Sequence, residues 1–370
     1  MERKKIMFFI YRMGGGGAAR TLLNIINHLD RDKFEPILVT LDFTYTYERY
    51  VQDDVKFIKL PVKRLRQAII PLAQLLRKEK PDLLFSTVPN YNTIAILAKL
   101  LSRTKTKLVV REAAYLGGTL KENLLLKGYG LLYRFADRVV ALSEGVKANL
   151  IKRYHVKESK IKVIYNPVDL SHIEKESERE IERKEPFKQD KKIIVSAGRL
   201  VAEKDHATLL RAFARLKKMH QVHLVLLGEG ELEQSLRQLA TQLQIDEYVS
   251  FFGFQQNPYA YMKRADVFAL TSLSEGFGHV LVEALAVGVP IVSTRCNPGA
   301  EEILGEEKYG MLVEVGDDVA LAKKLSKALT LTEAEREEII TKGKKRANQF
   351  SATKIVTHYE RMFESILKSD

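Results

Sequence analysis

The chain has 370 residues and a mass of 42.2 kDa, which is long enough for two domains with a hydrophobic core each. Hydrophobic residues make up 45% of it and charged residues 29%, a composition that excludes disordered and collagen-like chains. Cys296 is the single cysteine, which excludes structural disulfides and multi-cysteine metal sites and fits a reducing compartment. We expect no membrane-spanning helix, because every apolar run falls short of about 18 residues. We also expect no signal peptide, because the N-terminal apolar stretch is short and is followed by a glycine run in place of a cleavage site.

Short apolar runs alternate with longer amphipathic stretches along the chain. The predicted strands of the first half are 5–11, 34–41, 55–60, 82–88, 107–112, 138–143 and 162–166, with helix-like stretches such as 18–29, 91–101 and 144–153. After a polar stretch, strands resume at 192–198, 223–228, 249–254, 267–272, 290–294 and 310–315. This alternation predicts an α/β fold with two doubly wound parallel sheets.

The texture of the sequence also predicts the domain boundaries. We expect a first Rossmann-like domain over 1–170, a polar linker over 171–191 and a second Rossmann-like domain over 192–350. A C-terminal helix over 351–370 is expected to pack back towards the first domain. Because such folds bind ligands at the carboxyl ends of their strands, strand-end residues are the candidate site residues.

Positive charge is concentrated in the first half. Residues 1–170 contain 31 Lys and Arg against 16 Asp and Glu, whereas the rest of the chain contains 29 against 31. Such asymmetry predicts a polyanionic partner, either nucleic acid, an anionic membrane or a phosphorylated substrate. Recognition motifs for nucleic acid are missing, so we expect no nucleic-acid partner. The segments 63–80 and 116–135 are basic and apolar and are candidates for an anionic membrane surface.

A glycine run follows the first predicted strand. Gly14, Gly16 and Ala19 formally match the G-x-G-x-x-A pattern of dinucleotide-binding proteins, and Asp42 closes the next strand. Glycines before a helix also suit a phosphate or an acceptor, because the backbone amides of a helix N-terminus bind anions. A nicotinamide-dependent oxidoreductase therefore remains an alternative at this point.

Charged groups cluster at strand ends in the second half. Arg199 and Lys204 follow one strand and together can neutralise a diphosphate. Glu275 lies in a later strand-end loop, and Glu283 lies eight residues on, inside an apolar helix. A carboxylate in such a helix needs a polar partner, and ligand hydroxyls are suitable ones. Between the two glutamates, residues 276–278 offer amides at a helix N-terminus.

Four segments of the second half form a wider pattern: GRLVAEKDH, LLGEGEL, FFGFQQNPYAYM and SEGFGHVLVEALAVGVPIVST. Together they resemble the donor-binding half of glycosyltransferase family 4, whose signature is a glutamate pair spaced as Glu275 and Glu283 are. The segments YRMGGGGAARTLLNI, VALSEGVKANL and YNPVD extend the resemblance over nearly the whole chain. It implies the GT-B fold, in which two Rossmann-like domains face a central cleft, the first binding the acceptor and the second the nucleotide sugar.

The resemblance also implies residue roles. Arg199 and Lys204 correspond to the pair that binds the donor diphosphate, and Glu283 corresponds to the acid that holds the ribose. Glu275 corresponds to the residue at the donor sugar. The remaining predicted donor contacts are Phe254, near the base, and Gly276, Phe277 and Gly278, near the sugar and phosphates. Gly15, Gly16 and Gly17 correspond to the first-domain loop that closes over the phosphates.

Two segments differ from the common family pattern. Many members carry a histidine after the fifth strand, where this chain has Val110-Arg111-Glu112, and Glu112 is therefore a fourth candidate catalytic residue beside Glu275, Arg199 and Lys204. The run 294–301 departs from the usual sequence near the donor sugar.

The resemblance implies retaining transfer of a hexose or N-acetylhexosamine from a UDP-sugar to a lipid-diphosphate-linked glycan in bacterial surface polysaccharide assembly. Many GT-B enzymes use cationic side chains in place of a metal, so we expect no metal and no cofactor. The expected location is cytoplasmic, peripheral on the inner face of the cell membrane. A sugar-nucleotide-binding protein without catalysis is a further alternative.

Overall fold

The computed structural model describes residues 3–14, 16–43, 46–188, 190–296 and 298–368. These residues divide into two compact units. The first comprises the chain up to Val168 together with the segment from Ala352 onwards, and the second is Asp169–Ser351. Each unit is built on one parallel sheet, which confirms the predicted α/β class.

The first unit contains every strand predicted for the first half of the chain. They are β1 (Lys4–Phe9), β2 (Phe34–Leu41), β3 (Lys56–Leu60), β4 (Leu83–Thr87), β5 (Lys107–Glu112), β6 (Arg138–Ala141) and β7 (Ile161–Val163). Their order in the sheet is β3-β2-β1-β4-β5-β6-β7, with parallel pairing throughout. The helices are α1 (Gly17–His28), α2 (Ile69–Glu79), α3 (Pro89–Ser102), α4 (Leu120–Tyr133) and α5 (Glu144–Lys152).

The C-terminal helix, Ala352–Leu367, is part of the core of the first unit. Its apolar residues recur at the spacing of one helical face, so that Tyr359 and Phe363 both turn towards the sheet. The Phe85 ring of β4 lies 5.8 Å from the Tyr359 ring and 6.1 Å from the Phe363 ring, and all three side chains are buried. Burial of these aromatic rings holds the end of the chain on the first sheet.

The second unit repeats this architecture. Its strands are β8 (Lys192–Ala197), β9 (Val222–Leu227), β10 (Val249–Gly253), β11 (Val267–Leu270), β12 (Ile291–Thr294) and β13 (Met311–Val313), in the parallel order β10-β9-β8-β11-β12-β13. The helices are α6 (Leu170–Ser177), α7 (His206–Leu216), α8 (Glu233–Gln242), α9 (Tyr259–Lys263), α10 (His279–Val287), α11 (Gly299–Leu304), α12 (Asp318–Leu329) and α13 (Glu333–Ala347), and the C-terminal helix is α14.

The predicted linker over 171–191 is wrong in its first part, because residues 170–177 form helix α6 of the second unit. The Asp169 carboxylate accepts a hydrogen bond from the His172 amide at 3.0 Å and so caps the helix. Ile173 and Ser177 are buried where α6 packs on α9 and α10. The sequence did not predict this helix, because its short apolar face is followed by a run of charged residues.

Two glycines of α4 give a matched test of how this helix packs against Tyr154, which follows α5. A Cβ at Gly130 would lie 1.7 Å from the Tyr154 carbonyl oxygen, whereas a Cβ at Gly128 would meet nothing within 4 Å. We expect Gly130→Ala to lower the free energy of unfolding by about 2 kcal/mol or more, because the helix must move away from Tyr154. Gly128→Ala should raise it by about 0.5–1 kcal/mol through the higher helix propensity of alanine. Urea denaturation measures both, and equal effects would mean that α4 does not lie against Tyr154.

Candidate active site

The second unit has its candidate site where the strand order reverses, between β8 and β11. In open α/β sheets, the crevice at the carboxyl ends of the strands on either side of such a point is the usual ligand site. Residues 198–204 follow β8, and residues 271–275 follow β11. The predicted cations and the first predicted glutamate therefore flank one position on the sheet.

Lys204 and Glu275 form an ion pair across this position. The Lys204 Nζ donates to Glu275 Oε1, and the Ser272 hydroxyl donates to the same oxygen at 2.8 Å. The two charged side chains are only 19% and 16% exposed, so they are largely shielded from bulk water. Partial desolvation strengthens a charge-assisted hydrogen bond, and the pair holds the ammonium group in a fixed place.

Hydrogen bonds to the backbone tie the two loops together. The Thr271 hydroxyl donates to the Lys204 carbonyl at 3.0 Å, and the Leu273 amide donates to the Glu203 carbonyl at 2.8 Å. The Thr294 hydroxyl, at the end of β12, donates to the Ser272 carbonyl at 2.7 Å. None of these three hydroxyl residues is among the site residues predicted from sequence. Their position directly at strand ends is the signal that could have found them.

Arg199 is exposed at the same strand end. In the part of the chain that the structure describes, its guanidinium group has no hydrogen bond or ion pair, so its donors are available to a ligand. The neighbouring backbone is fixed, because the Leu200 amide donates to the Glu229 carbonyl at 2.9 Å. A Cβ at Gly228 would lie 1.9 Å from the Gly198 carbonyl oxygen, so glycine is needed where these two strand-end turns meet.

Helix α10 carries the second glutamate. Glu283 is buried among apolar helix residues, as its sequence position predicts. Gly278 precedes the helix with φ of 86°, a conformation that favours glycine. The Phe277 side chain is buried and lies edge-on to Phe350, with 5.4 Å between ring centroids. Phe277 therefore anchors the loop with its ring, and only its backbone remains for a ligand. Gly276 lies in the same loop, half-buried.

Phe254 is 65% exposed at the end of β10. Its amide donates to Glu229 Oε1 at 3.2 Å, which fixes the backbone while the ring stays open to solvent. An exposed aromatic face of this kind can stack on a planar ring such as a nucleobase.

The divergent run 294–301 contacts the glutamate loop through its backbone. The Gly299 amide donates to the Glu275 carbonyl at 3.0 Å, and a Cβ at Gly299 would lie 2.4 Å from the Phe277 carbonyl oxygen. Burial, and secondarily the charge of Glu275, raises the pKa of the Cys296 thiol to about 12. Cys296 is therefore a neutral packing group rather than a nucleophile. Asn297 lies outside the described residues.

In the first unit, the glycine run leads into α1. Gly17 begins the helix, and Gly16 precedes it in an extended conformation with open space around its Cα. The first turn of α1 contains no acidic residue, so its backbone amides face no competing carboxylate there. Gly15 lies outside the described residues.

Glu112, at the end of β5, is fully enclosed. Its Oε1 accepts hydrogen bonds from the Tyr133 hydroxyl and, at 3.2 Å, from the Asn92 amide, while Oε2 accepts from the Tyr154 hydroxyl at 3.0 Å. Burial raises the pKa of this carboxyl to about 7 despite these hydrogen bonds. In this arrangement the carboxylate joins α3, α4 and the segment after α5 to the sheet, which favours a structural role, and the catalytic role of Glu112 stays a prediction.

This burial predicts a pH-dependent stability. The folded-state pKa of Glu112 lies above its ordinary value of 4.5, so the folded protein binds the proton more tightly. The contribution of the protonated carboxyl to the free energy of unfolding is therefore fully present below about pH 4.5. It is lost as the pH rises towards 7, and the total loss is about 3 kcal/mol. Glu112→Gln removes this titration, so the variant should lose less stability between pH 5 and pH 8 than the wild type. Urea denaturation of both proteins at the two pH values tests this, and parallel pH profiles would contradict it.

Within the described residues, no three His, Cys, Asp or Glu side chains form a group that could hold a metal ion. The chain does contain one Asp-x-Asp sequence, Asp30-Arg31-Asp32, which lies in the turn before β2 and away from the carboxyl ends of the strands. None of the helices described is both long and apolar enough to span a membrane.

Comparison with known proteins identifies the family. The model of glycosyl transferases group 1 matches residues 177–346, and the model of glycosyltransferase family 4 matches residues 15–172. A relative from Campylobacter jejuni, N-acetylgalactosamine-N,N'-diacetylbacillosaminyl-diphospho-undecaprenol 4-alpha-N-acetylgalactosaminyltransferase, is 32% identical over 95% of this chain and 97% of its own length. The chain belongs to glycosyltransferase family 4. The nicotinamide-dependent alternative, which rested on the Gly14–Ala19 match, thereby loses its basis.

Solved structures share the fold of this glycosyltransferase. A glycosyltransferase from Rickettsia africae superposes with a TM-score of 0.84 at 19% identity, covering 100% of both chains. Anabaena HepE in complex with UDP-glucose superposes with a TM-score of 0.81 at 23% identity, covering 98% of this chain and 99% of the other. This likeness confirms the predicted GT-B fold with two Rossmann-like units.

Proposed function

We propose that this glycosyltransferase moves a hexose or N-acetylhexosamine from UDP to a glycan carried on undecaprenyl diphosphate, with retention of configuration and without a metal ion. The observation that carries the proposal is the Lys204–Glu275 pair beside the open guanidinium of Arg199, at the strand-order switch of the second unit. This arrangement suits a diphosphate, because a compact ammonium and a planar fork of donors lie at one strand end. The Campylobacter relative supports the acceptor class, since its name specifies a diphospho-undecaprenol-linked sugar.

The donor is proposed to bind along the carboxyl edge of the second sheet. Arg199 and Lys204 contact the diphosphate, Glu283 accepts hydrogen bonds from the ribose hydroxyls, and Phe254 stacks on the base. Residues 276–278 add backbone amides for the phosphates or the sugar. UDP is the proposed nucleotide because HepE, which shares the fold, is solved with UDP-glucose.

In the proposed reaction, the bond between the anomeric carbon and the β-phosphate oxygen breaks, and an acceptor hydroxyl attacks the same face of the sugar. The hydroxyl proton passes to the departing phosphate, so that UDP leaves and a new glycosidic bond remains. Arg199 and Lys204 stabilise the charge that develops on the diphosphate. Glu275 is engaged by Lys204 and Ser272, which favours a positioning role at the sugar over nucleophilic attack.

A direct assay tests the proposed activity. Purified protein is incubated with an undecaprenyl-diphosphate-linked N-acetylhexosamine and, in turn, with UDP-glucose, UDP-galactose and their N-acetylated forms. We expect one donor to add one or more sugar masses to the acceptor without added divalent cation and with EDTA present, and an α-anomer by NMR. UDP binding without product from any of these donors would favour a non-catalytic sugar-nucleotide-binding protein. Absence of UDP binding would contradict the donor assignment.

The first unit is proposed to bind an anionic membrane on the cytoplasmic face, where a lipid-linked acceptor lies. Helix α4 exposes a band of large apolar side chains, with Leu120 being 91% exposed. The others are Leu124, Leu125 and Leu131, followed by Phe135 just beyond the helix. Exposed Lys121, Lys127 and Arg134 border this band, an arrangement typical of a helix that inserts shallowly into an anionic surface. The exposed Lys63, Arg64 and Arg66 before α2 add to the charge.

Vesicle co-sedimentation tests this membrane contact. The double variant Leu120→Ser and Leu124→Ser should bind phosphatidylglycerol vesicles several-fold more weakly than the wild type, because it removes apolar area from the inserting face. The matched control, Leu100→Ser with Leu101→Ser, changes two exposed leucines of α3 and should bind as the wild type does. Binding should also weaken as salt rises, since each basic group near the surface contributes about 1 kcal/mol. Equal binding to neutral vesicles, or no binding at low salt, would contradict the proposal.

A further inference from the structure

We propose that the first unit has a second anion site, separate from the glycosyltransferase site, which binds a molecule carrying two or more phosphate groups. It is a cavity of about 620 Å³ at the amino ends of β1, β4 and β5, the edge of the sheet opposite the strand ends that lead to the glycine run and Glu112. Backbone hydrogen bonds connect the starts of these strands. The Asp82 amide donates to the Lys5 carbonyl at 3.0 Å, and the Lys107 amide donates to the Asp82 carbonyl at 2.9 Å. The volume lies in the range of small-molecule sites.

The lining of this cavity is strongly cationic. Its basic residues are Lys4, Arg77, Lys80, Arg103, Lys105 and Lys107. Among its described lining residues, Asp82 is the one carboxylate, and it is already engaged by the Lys4 ammonium at 3.2 Å and the Lys5 amide at 2.8 Å. Six basic groups against one acid create a positive potential at this end of the sheet, which attracts anions.

Helix ends explain part of this charge but not all of it. Lys80 and Arg103 are the C-terminal caps of α2 and α3, and Arg77 donates to the Ser102 carbonyl at 3.1 Å. Each helix C-terminus carries about half a negative charge, so the two together offset about one cation. With Asp82 counted as well, an excess of about four positive charges remains in the cavity.

The groups left over suit phosphate chemistry. In the described chain, the side chains of Lys80, Arg103 and Lys105 have no hydrogen bond or ion pair. A chain of hydroxyls runs beside them, in which Thr104 donates to Thr106 at 3.0 Å and Thr106 donates to the Pro81 carbonyl at 2.9 Å. One guanidinium fork and two flexible ammonium groups can each engage a different phosphate, which favours a clustered polyanion over a single carboxylate. The phosphates could come from a soluble compound or from a lipid headgroup.

A charge-removal variant tests the site while sparing the fold. Lys80 and Arg103 have positive φ values of 46° and 51°, which asparagine tolerates better than most residues, so Lys80→Asn and Arg103→Asn are combined with Lys105→Ser. The matched control removes three exposed cations of the same unit outside the cavity, by Lys152→Asn, Lys157→Asn and Lys162→Thr. Calorimetry with inorganic tripolyphosphate is carried out in a Lys204→Met background, which weakens phosphate binding at the proposed donor site.

We expect tripolyphosphate to bind the Lys204→Met protein at one site. The affinity should fall at least ten-fold after the cavity substitutions and should stay within two-fold of the parent after the control substitutions. Co-sedimentation with phosphatidylglycerol vesicles then separates the sources. A loss of vesicle binding in the cavity variant indicates a lipid headgroup, and unchanged vesicle binding indicates a soluble ligand. Equal tripolyphosphate binding by the cavity variant and its parent overturns the proposal, as does an equal loss in the control. Glycosyl transfer by the cavity variant with Lys204 intact reports separately on the proposed function.

Discussion

Lys204→Met should reduce kcat/KM for the sugar donor by about 10²-fold. A hydrogen bond to a charged group typically contributes about 1.5–3 kcal/mol, and each 1.36 kcal/mol changes a rate ten-fold. The substitution removes the ammonium proposed to face the diphosphate, and it also leaves the largely buried Glu275 carboxylate without its charged partner. Arg199→Ala should lower donor use by a similar factor, but with less effect on stability because its guanidinium is exposed.

Lys192→Met is the control for a lost lysine in the same unit. Lys192 pairs with Asp266 at 2.9 Å, but it begins β8 at the opposite edge of the sheet and is 59% exposed. Donor use by this variant should match that of the wild type, since exposed ion pairs contribute little. Steady-state kinetics with varied donor decide the matter. Wild-type kcat/KM in both Lys204→Met and Arg199→Ala would remove the diphosphate assignment.

The fold could be predicted from sequence because the strands of a sheet covered on both faces are nearly continuous apolar runs. Each predicted strand is present, and the errors are confined to ends such as 138–143, where β6 stops at Ala141 and the loop begins. Helix α6 was missed because its buried face consists of little more than Ile173 within a charged segment. The charged composition of this segment predicts a linker, whereas its helix is stabilised by packing on α9 and α10, which lie far along the chain.

The candidate site was partly predictable for a related reason. The parallel topology alone brings the ends of β8 and β11 together, so Arg199, Lys204 and Glu275 could be grouped from their places after strands. The ion pair between Lys204 and Glu275 depends on loop conformations that the spacing of these residues in the sequence does not determine. The enclosure of Glu112 likewise depends on tyrosines 21 and 42 residues further along the chain. The basic cavity draws on residues from four separate stretches, so no local motif marks it.

Glu283→Gln should weaken binding of UDP and of the UDP-sugar alike, by about ten-fold, whereas Glu275→Gln should leave UDP affinity within about two-fold and reduce turnover by 10² or more. The proposed ribose contact of Glu283 is common to both ligands, and a charged acceptor adds about 1.5–3 kcal/mol to such a hydrogen bond. Glu275 is proposed to act at the transferred sugar, which UDP lacks. Binding energy realised only during transfer appears in kcat rather than in the affinity for product.

Calorimetry with UDP and steady-state kinetics with the sugar donor separate the two roles, and Glu338→Gln, on the exposed face of α13, is the control that should change neither. Glu275→Gln also removes the charge that faces Lys204, which frees this ammonium for the diphosphate. UDP affinity in this variant should therefore stay the same or rise slightly, a direction that a general loosening of the site would not produce. An equal loss of UDP binding in both glutamate variants would mean that the two carboxylates support one nucleotide contact together, and the division between ribose and sugar would then be wrong.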